Sequence, residues 1–189
     1  MADNNLDGVR VAILATNGYE EAELVKPKAA LEDAGAKVTV IAPEPGEIYG
    51  MKHHDKAGKT KVDMTLQEAN ANDFDGVVLP GGALNADALR DFREAQEFVR
   101  KIDEEGKPIA VICHGPWLLV SAGLVDDRKL TSWPTVRDDI MNAGGSWEDK
   151  EVLRDGNFIS SRKPDDIPAF NREMIAAFAE QKGTKQKVA

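Results

Sequence analysis

The chain has one cysteine, Cys113, at the point where the apolar run "PIAVIC" (108–113) breaks into His114-Gly115-Pro116. A free cysteine is either a small buried hydrophobe or a nucleophile, and its surroundings decide between them. A packing cysteine is expected inside a strand with apolar neighbours on both sides. This one closes a strand and precedes a helix by about two residues, so a sharp turn would project its sulfur outward like the nucleophile of a Gly-x-Ser-x-Gly elbow. The helix start that follows adds positive potential, which predicts a lowered thiol pKa. Sulfur attack on a carbonyl also calls for hydrogen-bond donors to the developing oxyanion, and the amides of His114 and of Gly82 in "LPGG" are the candidates. Gly81-Gly82 alone would read equally as a plain strand-to-helix turn.

The histidine inventory narrows the chemistry. Only His53, His54 and His114 occur, and none follows position 114. Glutaminase-type triads and Ser-Asp-His hydrolases place their histidine after the nucleophile, so neither arrangement can be completed. His53-His54 lie in a weakly patterned stretch and read as exposed loop residues, since two adjacent histidines suit a metal poorly without further ligands in register. No metal or cofactor is called for.

The elements that would position Cys113 follow from periodicity. "VRVAILAT" (9–16), "KVTVIAP" (37–43), "FDGVVLPGG" (74–82) and "PIAVIC" read as buried strands. "EEAELVKPKAALEDAGA" follows the first strand at helical spacing, with Pro27 as a bend, and "GPWLLVSAG" follows the fourth with Pro116 in its first turn. Residues 86–107 read as one amphipathic helix with apolar positions 88, 89, 92, 98, 99 and 102. Positions 44–65 read as a surface hairpin or excursion. Short late strands are expected near "KLTS" and "NFISS", with a final helix over about 167–180.

Alternation of strands and helices predicts an α/β, three-layer sandwich with a mainly parallel sheet and right-handed crossovers. In such sheets sites form beyond the carboxyl ends of the strands, where "ATNGYEE", "LPGG" and "VICHGP" all fall.

With 189 residues the chain is expected to form a single domain over 1–189, with 1–7 and 182–189 as flexible tails. A 42% hydrophobic and 30% charged composition belongs to a globular protein rather than a disordered one. Net charge is −9, with 24 Lys and Arg scattered among 33 Asp and Glu, so nucleic acid is excluded as a partner on electrostatic grounds. No apolar run is long enough to span a membrane, the acidic start "MADNNLDG" does not resemble a signal peptide, and a lone thiol suits a reducing compartment. A cytoplasmic location is expected.

With "TNGYEEAEL", "LPGG", "VICHGPWLLVSAGLV", "RKLTSW", "RDDIMNAGG" and "DGNFISSRKPDDIPAFNREM" in this order, the chain resembles the DJ-1/PfpI superfamily over nearly its whole length, and the PfpI-type branch in particular. The resemblance implies a flavodoxin-like fold, related to the class I glutamine amidotransferases, and a homodimer or higher homo-oligomer with sites near subunit contacts. It makes Cys113 the reactive cysteine and Glu20 the glutamate that hydrogen-bonds its sulfur; a helix-start acid is the plainer reading of Glu20. His114 would work with an acid from a neighbouring subunit. Asp87 is the nearest match to that acid, in a segment one residue longer than the family's, and a helix-start role suits it as well. Trp133 stands where relatives carry tyrosine. Trp117 and Trp147 read as packing residues, and Arg162 as a carboxylate anchor near the site or, preferably, a structural ion pair.

The function implied is that of a stress-associated cysteine hydrolase or lyase acting on a small carbonyl or peptide substrate: peptides, 2-oxoaldehydes or glycation adducts. The alternative of a different class is a redox-responsive protein that senses oxidation at Cys113, with a chaperone as a third reading.

Overall fold

The computed structural model describes residues 5–188, with side chains described up to residue 183. Twelve strands and six α-helices follow one another along the described residues. They are β1 (Arg10–Leu14), β2 (Tyr19–Glu20), α1 (Glu21–Asp33), β3 (Lys37–Ala42), β4 (Glu47–Lys52), β5 (Asp55–Lys61), β6 (Met64–Thr65), β7 (Gly76–Leu79) and α2 (Ala83–Leu89). Then come α3 (Arg93–Glu104), β8 (Ile109–Ile112), α4 (Pro116–Ser121), β9 (Lys129–Leu130), α5 (Arg137–Asn142), β10 (Ser146–Trp147), β11 (Val152–Asp155), β12 (Phe158–Ser161) and α6 (Ile167–Val188).

Seven strands form the central sheet in the order β11-β12-β8-β7-β1-β3-β6. All neighbours run parallel except the edge pair β11 and β12. The strands β1, β7 and β8 are near-continuous apolar runs because both faces of the sheet are covered. Side chains alternate across the pleat: Val11 and Ile13 belong to one core cluster and Ala12 and Leu14 to the other. The first cluster includes Leu24 and Leu31 of α1 and Phe170, Met174 and Phe178 of α6. The second holds Phe98, Val99 and Ile102 of α3, Leu118 and Leu119 of α4 and Ile140 of α5. This is a three-layer, flavodoxin-like α/β sandwich.

Chain order fixes where a site can form. From β1 the sheet grows one way through β3 and β6 and the other way through β7, β8 and β12, so its strand order reverses between β1 and β7. A crevice opens at such a point beyond the strand ends.

Three expectations are corrected. The single helix over 86–107 is two, because the chain breaks between Leu89 and Arg93. There Gln96 donates from its side chain to the Arg90 carbonyl at 2.8 Å, and Phe92, counted in the apolar stripe, is exposed. Within the supposed N-terminal tail, Leu6 is fully buried in the core. At the other end α6 extends past 180 to Val188, so most of the supposed C-terminal tail is helical, and Lys182 donates to the Asn5 carbonyl at 3.1 Å. The remaining tail positions, 1–4 and 189, lie outside the described residues. The excursion at 44–65 is a hairpin of β4 and β5, fastened along β2.

Candidate active site

Cys113 follows the last residue of β8 with a φ of 62°. A non-glycine residue in the left-handed region costs on the order of 1–3 kcal/mol and persists only where its surroundings hold it. Here the Cys113 N–H donates to Ser161 O at 3.1 Å, and its carbonyl accepts from Trp133 N–H at 3.0 Å. The strained turn swings the side chain away from the sheet and over the β1/β7 crevice. Gly81 and Gly115 make room for it: a Cβ on Gly81 would stand 2.6 Å from the Cys113 Cβ, and one on Gly115 would stand 2.6 Å from the Leu79 carbonyl. The elbow expected from the sequence is present, and Cys113 is buried with its sulfur reaching the floor of a cleft.

Glu23, not Glu20, is the carboxyl at the sulfur. Glu20 stands at the N-cap position of α1 without a side-chain capping bond and instead accepts the His53 N–H at 3.1 Å, tying the β4–β5 hairpin to the cleft rim. Glu23 lies one helical turn further on and is fully buried. Its Oε2 accepts the Gly81 N–H at 2.8 Å, and its carboxyl is within hydrogen-bonding reach of Cys113. Oε1 is buried without a hydrogen-bond partner. The sequence carried a signal for this: the buried positions of α1 are Glu23, Leu24, Pro27 and Leu31, so Glu23 is the one acid on the apolar stripe. Pro27 lacks the N–H that would bond the Glu23 carbonyl, so the helix is loosened at the residue that enters the site.

Burial pushes the Glu23 carboxyl up to about 8, against the pull of the Gly81 amide and of the sulfur. Burial also pushes the Cys113 thiol up, and an ionised Glu23 raises it further, while the N–H groups of Gly82 and His114 donate to the sulfur and pull it down. The lowered thiol expected from the helix start is therefore corrected, since α4 has six residues and desolvation outweighs it. Through the neutral range Glu23 keeps its proton, so the charge that would raise the thiol further is absent.

His114 Nδ1 lies 3.2 Å from Cys113 Sγ, and burial lowers the imidazole pKa, which keeps the ring neutral and able to accept a proton. Trp133 stacks on this ring with centroids 6.0 Å apart, and Trp117 meets it edge-on at 5.2 Å. The Trp117 indole donates to Asp139 at 2.9 Å and that of Trp147 to Ser132 at 2.9 Å, so both hold the shell around the site.

The other predicted residues separate. Gly81, Gly82 and Trp133 meet at Cys113. Asp87 is exposed on α2, does not line the cleft, and has no contact with His114 within the chain. Arg162 bonds Asp166 at 2.8 and 3.0 Å and Asp149 at 2.7 Å, which is the structural role; its neighbours Lys163, Pro164 and Asp165 line the cleft. His53 and His54 stand exposed at the hairpin tip and line the cleft. Among the described residues no group of three or more His, Cys, Asp or Glu is arranged to hold a metal ion.

The sequence profile of the DJ-1/PfpI family matches residues 9–177, which include the elbow, Glu23 and both glycines. The chain belongs to the DJ-1/PfpI family. It is 43% identical over 167 residues to the deglycase PfpI of Pyrococcus furiosus, covering 88% of this chain and 98% of that one. It is 37% identical over 166 residues to the putative cysteine protease YraA of Bacillus subtilis, covering 88% and 96%. A crystal structure of a two-domain protein from Anabaena variabilis, with DJ-1/ThiJ/PfpI-like and ferritin-like domains, superposes with a TM-score of 0.84 at 34% identity. It covers 89% of this chain and 47% of that one. In this DJ-1/PfpI chain no helix among the described residues is long and apolar enough to cross a membrane.

Proposed function

We propose that the protein is a cysteine-dependent hydrolase of the PfpI type, acting on carbonyl substrates and foremost on adducts of 2-oxoaldehydes with amines or thiols. The convergence of Glu23, His114 and two backbone N–H groups on the strained Cys113 carries this reading. The relatives named deglycase and putative cysteine protease support it.

In the first step Sγ bonds to the carbonyl carbon, the C=O electron pair moves to oxygen, and the thiol proton passes to Nδ1 of His114. A raised thiol pKa suits this order, because the proton leaves as the bond forms rather than beforehand. The amides of Gly82 and His114, which converge on the sulfur, receive the oxyanion beside it. His114 returns the proton to the departing amine or thiol. In an adduct of methylglyoxal with an amine, the carbon that the amine leaves is the one sulfur holds, as a hemithioacetal; its hydrogen moves as a proton to the neighbouring carbonyl carbon, which leaves a thioester and an alcohol, and one water then cleaves the S–C bond, restoring the thiol and releasing the hydroxy acid.

Assembly into a homodimer or higher oligomer is part of the proposal. Val25 and Leu84 form an exposed apolar rim beside the cleft, and Asp87 lies on the same helix as Leu84, within reach of a second copy.

The test is turnover of a methylglyoxal–arginine adduct and of a fluorogenic peptide by the wild type and by Cys113→Ser. Release of free arginine and hydroxy acid is expected to fall at least about a hundredfold in the variant, as for loss of a nucleophile. Equal turnover by both proteins would overturn the reading. An inert wild type would favour redox sensing at Cys113.

A further inference from the structure

The mechanism uses two amides from one turn: Gly81 N–H holds Glu23, and Gly82 N–H meets the sulfur. Something must aim them, because glycine peptides are the least constrained in the chain. Asn85 of α2 is fully buried directly behind this turn. Its Nδ2 donates to Pro80 O at 3.1 Å and to Gly81 O at 2.9 Å, and its Oδ1 accepts from Thr16 N–H at 2.7 Å. The orientation of the carboxamide is unambiguous, since one side faces a backbone donor and the other faces two carbonyls.

A peptide unit is planar, so fixing its C=O fixes its N–H. The Pro80 carbonyl shares a plane with the Gly81 N–H, and the Gly81 carbonyl shares a plane with the Gly82 N–H. Two hydrogen bonds from one side chain therefore set the two planes whose amides serve Glu23 and Cys113. The Thr16 contact ties the same carboxamide to the loop that leads into Glu20, whose N–H donates to Gly81 O at 3.3 Å. Ordinary helix capping does not account for this. A cap accepts from N–H groups of the first turn, whereas Asn85 lies within that turn and donates to carbonyls before it. Its acceptor satisfies the Thr16 N–H, while its two donated bonds go to the carbonyls of the peptide units that carry the Gly81 and Gly82 N–H groups.

We propose that Asn85 is a positioning residue for the chemistry at Cys113: its buried carboxamide locks the Pro80–Gly81–Gly82 turn so that one amide holds Glu23 and the next meets the sulfur. The proposal rests on the reading of Cys113 as the nucleophile. The titratable groups that face the sulfur are Glu23 of α1 and His114 on the elbow.

The test uses Asn85→Ala, with Asn85→Ser in case the first fails to fold, and Phe98→Leu as a variant weakened in the α3 layer away from the cleft. Thiolate absorbance at 240 nm is titrated against a Cys113→Ser blank, and kcat and KM are measured on the adduct. The Asn85 variants are expected to raise the thiolate midpoint by about one pH unit and to lower kcat about tenfold at unchanged KM, as for loss of one charge-assisted hydrogen bond. Phe98→Leu is expected to lower the melting temperature alone. A titration and kcat in the Asn85 variants equal to those of Phe98→Leu would overturn the proposal. The titration needs no substrate. A shift in a protein without turnover would therefore sustain Asn85 and remove the hydrolase reading, and turnover without a shift would remove Asn85.

Discussion

Glu20, Glu21 and Glu23 differ by at most three positions, yet they divide between two tasks. Glu20 and Glu21 hold the hairpin through the N–H groups of His53 and Gly58, at 3.1 and 2.8 Å, and Glu23 turns inward to the sulfur. Burying a carboxyl there has a pH signature. Between its ordinary value of 4.5 and its folded value of about 8, the folded protein holds a proton that the unfolded chain has released. Stability must therefore fall as pH rises through that window, by up to about 1.4 kcal/mol per unit from this one group. Glu23→Gln keeps the shape and the Gly81 contact and removes the titration. Its urea midpoint is expected to fall less between pH 5 and pH 8 than that of the wild type, and parallel curves would show that Glu23 does not hold a proton in the fold.

At the scale of elements, the site is a meeting of three strand-to-helix turns, and each is shaped by contacts that a linear reading cannot see. The strands β1, β3, β7, β8 and β12 were legible because their apolar runs are bounded by turn residues, and the elbow was legible from Cys-His-Gly-Pro after such a run. The choice of Glu23 over Glu20 was legible only in the spacing of Glu23 with Leu24, Pro27 and Leu31, because both acids sit at a helix start. The break at 90–92 was missed because Phe92 continued an apolar count while it is in fact exposed at the start of α3. Asn85 was missed because its importance lies in two peptide planes rather than in its own chemistry. Gly82 tests how closely these turns approach. It has a φ of 84°, and a Cβ there would collide with the Gly18 carbonyl and stand 2.6 Å from the Glu20 N. Gly82→Ala is expected to cost about 1–3 kcal/mol and to reduce turnover further than the stability loss explains, because the sulfur loses its donor. Wild-type kcat in a stably folded Gly82→Ala would contradict the assignment of that amide.

The whole molecule is held on both faces of one sheet, and its N-terminal segment is part of that packing. Leu6 is buried in the cluster shared by α1 and α6, and its N–H donates to Ala34 O at 2.7 Å. Leu6→Ala is expected to destabilise by about 2–4 kcal/mol in denaturant melts while leaving kcat near the wild-type value, since the cavity opens far from the sulfur. A change under 0.5 kcal/mol would show that the segment contributes little to the core. The three-layer architecture and the turn that carries Cys113 were accessible from residue order and periodicity, and the family from the resemblance of its segments. The positions of the ends were not, because a polar tail and the last turns of an amphipathic helix have similar compositions.

The central claim is that Glu23 and Cys113 share one coupled site, and the single cysteine allows it to be tested directly. Thiolate absorbance at 240 nm would be followed against pH for the wild type, Glu23→Gln and Glu20→Gln, each corrected with Cys113→Ser. Glu23→Gln, which removes the charge that raises the thiol, is predicted to bring the thiolate midpoint down, and Glu20→Gln to leave it as in the wild type. An unmoved midpoint in Glu23→Gln, or a lowered one in Glu20→Gln alone, would contradict the account.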